Sequence, residues 1–71
     1  MFYILKIKGT NVIPDFIQIR DDNMTLRAYF RVSQAKRGLE KNNLQKYSNQ
    51  MIEIIEKLPF GKIHKYIPEN E

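Results

Sequence analysis

The sequence predicts a small α+β domain: a three-stranded antiparallel meander followed by a main C-terminal helix packed on one face (β-β-β-α), with a short fourth strand fitting after the helix. Three observations predict it. "TLRAYFRV" at 25–32 alternates strictly, Leu26, Ala28, Phe30 and Val32 against Thr25, Arg27, Tyr29 and Arg31. Successive side chains of a strand point to opposite faces, so period two marks a half-buried strand. "LQKYSNQMIEIIEK" at 44–57 has the other period: Leu44, Tyr47, Met51, Ile54, Ile55 and the following Leu58 share one helical stripe, as a helix packed on a core requires. Turn-forming clusters divide the N-terminal half into strand-length pieces.

Each element follows from its residues. "FYILKIK" (2–8) is strand one, with Tyr3, Leu5 and Ile7 on the core face and Phe2, Ile4, Lys6 and Lys8 on the other. "GTNVIPD" (9–15) carries Gly, Asn and Pro and turns the chain. "FIQIR" (16–20) is strand two, Ile17 and Ile19 inward. "DDNM" (21–24) is a turn, because Asp and Asn bond their own backbone and tolerate left-handed geometry. Pairing Arg20 with Thr25 and Ile19 with Leu26 puts both apolar sets on one face and Phe16 opposite Tyr29. Ser33 suits an N-cap for "QAKRGLEK" (34–41), a short helical turn weakened by Gly38. Asn42 and Asn43 break it and can cap the main helix, which Pro59 ends. "FGKIHKYI" (60–67) reads as a last short strand, most simply parallel to strand one after a right-handed crossover. Residues 1–67 then form a single domain and "PENE" (68–71) a flexible polar tail. The expected core is Leu5, Ile7, Ile17, Ile19, Leu26, Ala28, Phe30, Val32, Leu39, Leu44, Tyr47, Met51, Ile54, Ile55 and Leu58.

Composition narrows function mostly by exclusion. With 71 residues there is room for one domain with a thin core, and with no cysteine neither disulfides nor a thiolate metal site can reinforce it. No apolar run is long enough for a membrane span or a secretory h-region, so a cytoplasmic protein is expected. Enzymatic signals are close to absent. His64 is the single histidine and has no partner in any motif. A zinc site needs several Cys or His ligands. Gly9, Gly38 and Gly61 form no phosphate-cradling loop. "RDDN" at 20–23 lacks the alternating ligands of a calcium loop, and turn chemistry explains it. No catalytic residue, metal or cofactor is therefore expected.

The net charge is +4, and it is uneven: residues 1–46 hold nine Lys/Arg against four Asp/Glu, residues 47–71 three against four. The excess thus lies with the strands and the first helical turn. On the expected geometry the outward sheet face carries Lys6, Lys8, Arg20, Arg27 and Arg31 around Tyr29. Cations neutralise phosphates and aromatic rings stack on unpaired bases, which together make a nucleic-acid platform. A solvated sheet face explains the same residue types without any ligand. A third reading is a homodimeric protein-interaction module without nucleic-acid function, closing over Ile4, Phe16 and Ile52, since a thin core with exposed apolar groups and open sheet edges favours self-association.

Overall fold

The computed structural model describes residues 1–68; residues 69–71, most of the expected tail, lie outside the described residues, and Pro68, its first residue, is buried. Strands β1 (Phe2–Ile7), β2 (Phe16–Asp21) and β3 (Leu26–Arg31) form the meander. A 3-10 turn (Val32–Gln34) leads into helix α1 (Ala35–Lys41). A second 3-10 turn (Gln45–Tyr47) leads into α2 (Ser48–Lys57), and β4 (Ile63–Tyr66) follows. The protein is a small α+β domain with a four-stranded sheet in the order β3-β2-β1-β4, every neighbouring pair antiparallel.

The fourth strand thus runs antiparallel to β1, not parallel as expected. Its direction follows from where the helical part of the chain ends. Asn43 adopts a left-handed φ of 62° just past α1. Leu44 N–H donates to the Leu39 carbonyl at 2.8 Å and Asn43 N–H to that of Glu40 at 3.2 Å. This is a Schellman motif, with its hydrophobic contact supplied by Leu39 and Leu44, both fully buried. Asn42 and Asn43 therefore end α1; neither they nor Ser33 cap a helix start, where no side-chain cap bond exists. α2 finishes beside the C-terminal end of β1: Lys6 Nζ donates to the Ile55 carbonyl at 2.9 Å and Gly61 N–H to the Lys6 carbonyl at 2.8 Å. A strand that starts there can only run back along β1, pairing Leu5 with Ile63 and Phe2 with Tyr66.

The core lies between the helices and one sheet face, and β1 presents to it the opposite side from the one expected. Phe2 and Ile4 are buried, Ile4 completely, while Leu5 and Ile7 stand on the open face. Both sides of β1 are apolar, so alternation alone does not choose between them. Pairing does: Ile4 lies opposite Ile19 and Lys6 opposite Ile17, whose side chains are committed to the core. Lys6 is accommodated on that side because its aliphatic stem follows the core margin while its ammonium reaches the end of α2, where exposed carbonyls attract a cation.

The β2–β3 register is shifted by two from that expected. Ile17 opposes Phe30 and Ile19 opposes Ala28, so the faces are kept. The ladder then breaks between Ile19 and Arg20, and Arg20 opposes Leu26. Arg27 is the extra residue of this bulge. Leu26 is thereby turned out to 46% exposure instead of entering the core, and Arg27 is re-aimed. The turn before it is tied by Asp21, whose Oδ1 accepts N–H bonds from Asn23 at 2.9 Å and Thr25 at 3.0 Å. Met24 occupies the left-handed region there, at φ 63°.

Gly38 decides how α1 packs. A Cβ at this position would run into the Cβ, Cγ and Cδ2 atoms of Phe30. Glycine in a helix interior costs about 0.5–1 kcal/mol relative to alanine, but here it lets the helix lie directly on the Phe30 ring. Ala35 and Leu39 from α1, with Met51 and Ile55 from α2 and Leu58 just beyond it, complete the core. Val32, Tyr47 and Ile54, expected inside, pack against it from its margin.

Candidate nucleic-acid interface

No helix covers the second sheet face. The pairing places Tyr3, Leu5 and Ile7 of β1, Phe16, Gln18 and Arg20 of β2, Leu26, Tyr29 and Arg31 of β3, and Ile63 and Lys65 of β4 on it. Three of these side chains are cationic, three aromatic, and none is a carboxylate. Asp21 stands opposite Phe2, on the helix side. Glu40, Glu53 and Glu56 belong to the helices.

Phe16 and Tyr29 stack with ring centroids 4.8 Å apart and planes 29° from parallel. They are diagonal, not direct, neighbours: the two-residue shift puts Arg31 opposite Phe16 and Gln18 opposite Tyr29. The stack holds the Tyr29 ring in place while leaving it 49% exposed. Arg20 is steadied from the turn, its guanidinium donating to the Met24 carbonyl at 3.0 Å. Tyr3, Leu5, Gln18, Arg20, Met24 and Ile63 surround a shallow hollow of about 90 Å³. Pockets for small molecules typically hold about 300–1,000 Å³, so this hollow is too small to enclose one.

Of the residues expected to contact nucleic acid, Arg20, Tyr29 and Arg31 are brought together on this face. Lys6 and Lys8 are not. Both follow the helix side of β1, and their ammonium groups lie 4.9 Å and 4.8 Å from the centre of the Phe60 ring, a cation–π arrangement. Arg27 is also elsewhere: the bulge sends it toward Asp21, 3.6 Å away, and over the Phe2 ring at 6.0 Å. Of the residues expected in a dimer contact, Phe16 is on the open face, Ile4 is fully buried, and Ile52 is half-buried against the core. Ile4 therefore cannot meet a partner without unfolding.

Tyr3 and Lys65 are the two face residues with ligand-binding chemistry that sequence reasoning left out. Tyr3 is visible only to a reader who assigns β1 the other way round. Lys65 requires knowing that β4 runs antiparallel to β1 and in which register, which no local pattern announces. Among the described residues no group of three or more His, Cys, Asp or Glu side chains could hold a metal ion, and no helix is long and apolar enough to cross a membrane. His64 borders an apolar groove of about 420 Å³ between α2 and β4. The charges along that groove do not converge on a ligand, since Lys57 Nζ and Glu53 pair with each other at 3.1 Å. In comparisons with known proteins, no family model, no curated protein and no solved structure matches this chain.

Proposed function

We propose that this protein is a non-enzymatic module that binds single-stranded nucleic acid on the open face of its sheet. One observation carries the reading: Arg20, Arg31 and Lys65 stand among Tyr3, Phe16 and Tyr29 on a face whose strand residues include no carboxylate. The cations meet phosphates and Tyr29, backed by Phe16, stacks on a base. Stacking needs an unpaired base, which favours single strands over duplex.

The second reading, a homodimeric protein-interaction module, draws on the exposed apolar groups Met24, Leu26 and Ile63. Charge opposes it. Two copies meeting face to face would bring two sets of Arg20, Arg31 and Lys65 together without an acid to pair them. The two readings accordingly respond to salt in opposite directions. Nucleic-acid binding weakens as salt rises, because the counterions it releases from the phosphates gain less entropy in more concentrated salt; a like-charged dimer strengthens, because its repulsion is screened.

Fluorescence anisotropy with short single strands and molar mass by light scattering, each at two salt concentrations, separate them. Wild-type protein should bind at low salt and stay monomeric, and Tyr29→Ala should cost about 1–3 kcal/mol of binding. A dimer that tightens with salt, with no strand bound at low salt, would establish the alternative.

A further inference from the structure

The open face does not end at β3. Around that edge, between the strand and α1, a cleft of about 380 Å³ is walled on one side by Phe16 and Tyr29 and on the other by Gln34, Arg37 and Lys41, with Arg31 between them. Arg37 and Lys41 are four residues apart on α1 and therefore project from one side of it. Glu40, the helix's acid, is not part of the lining. No ion pair engages Arg31, Arg37 or Lys41 among the described residues. Gly38 sits between the two helical cations in sequence, and its missing Cβ is what seats this stretch of α1 against the strand.

We propose that this cleft is a phosphodiester-binding site, which receives the backbone of a nucleic-acid strand as it leaves the stacking face and turns over the β3 edge. The inference rests on the nucleic-acid reading above and deepens it by giving the strand a direction. Three unpaired cations converge where a flat sheet face would otherwise stop, and the same aromatic pair forms both the platform and the cleft wall. A strand that only stacks on Tyr29 uses Arg20, Arg31 and Lys65. A longer one gains Arg37 and Lys41 as two further phosphate contacts.

The test compares oligothymidylates of about four and about twelve nucleotides, within the range of site sizes known for single-strand binders. The proteins are wild type, Arg37→Ala with Lys41→Ala, Lys36→Ala with Lys46→Ala as an equal charge loss outside the cleft, and Tyr29→Ala. Thermal melts confirm that each variant folds. The cleft variant should bind the long strand about tenfold more weakly, with a salt slope shallower by about 1.4, or about 0.7 per lost contact on single strands. Its binding of the short strand should stay as in wild type. Equal losses in the cleft and control variants, or an unchanged long-strand slope, would overturn the cleft and leave the stacking face standing. Long-strand binding that is lost in the cleft variant but indifferent to Tyr29→Ala would keep the cleft and overturn the stacking face. Absence of binding by wild type at low salt overturns both.

Discussion

The two faces of the sheet are built from the same residue types and do opposite things. On the helix side, Ile4, Ile17 and Ile19 are fully buried beneath Leu39, Met51 and Ile55, and the cation at the margin, Lys6, is consumed by a helix carbonyl. On the open side, Leu5, Leu26 and Ile63 have no layer above them, and Arg31 and Lys65 make no ion pair among the described residues. What separates the faces is not hydrophobicity alone but whether polar groups have been given internal partners. On the helix side Lys6 is answered within the chain; on the open side Arg31 and Lys65 are left to solvent, and it is these groups that the proposed function would use.

Substitutions at neighbouring positions of β1 break this contrast most sharply. Ile4→Ala should lower stability by about 2–5 kcal/mol, the range for truncating a buried isoleucine, whereas Leu5→Ala one residue later should cost less than about 1.5 kcal/mol, since little of its surface would leave a cavity. Denaturant unfolding of the pair measures the difference directly, and equal losses would erase the distinction between the faces. Gly38→Ala comes next. The helix gains up to about 1 kcal/mol of propensity, but the methyl group meets the Phe30 ring, and overpacking of this kind costs about 1–3 kcal/mol. The melting temperature should fall; a rise would mean that Phe30 moves aside freely. Tyr29→Ala should change unfolding free energy by less than about 1 kcal/mol while weakening single-strand binding as given above, which sharpens the contrast from the open side. The smallest effect is expected at the hairpin tip. Met24 holds a positive φ that costs a side-chain-bearing residue about 1–2 kcal/mol, so Met24→Gly should raise stability by about 0.5–1 kcal/mol after the glycine's own entropy cost, seen as a small upward shift of the melt.

How far the sequence could be read depended on whether one pattern dominated locally. Residues 25–32 and 44–58 each show a single period, and Ala28, Phe30, Met51 and Ile55 face inward as that period predicts, although the α-helix expected from residue 44 begins only at Ser48, after a 3-10 turn. "FYILKI" offers apolar residues on both sides, and Lys6 pointed the wrong way because a lysine's head and stem can occupy different environments. Leu26 was misplaced because a bulge is invisible to alternation: one extra residue, Arg27, reverses everything before it. On the candidate site, Arg20, Tyr29 and Arg31 were readable from strand alternation. Lys65 was not, because its place depends on the direction and register in which the last strand pairs with the first. Arg37 and Lys41 were not, because nothing local in "QAKRGLEK" says which strand it will rest against.

The central position of β1 has a consequence for how the chain comes together in time. The first strand in sequence needs the last to complete it: Phe2 pairs with Tyr66 and Leu5 with Ile63. The β1–β2–β3 meander can zip from its turns, but until residues 63–66 arrive one long edge of β1 is unpaired. Contacts this distant in sequence form late, after the loop-closure entropy has been met. During that interval the open edge is a template for any other extended chain. Lys6 and Lys8 closely follow the residues that this edge exposes, and charge at an exposed edge is a known deterrent to strand addition.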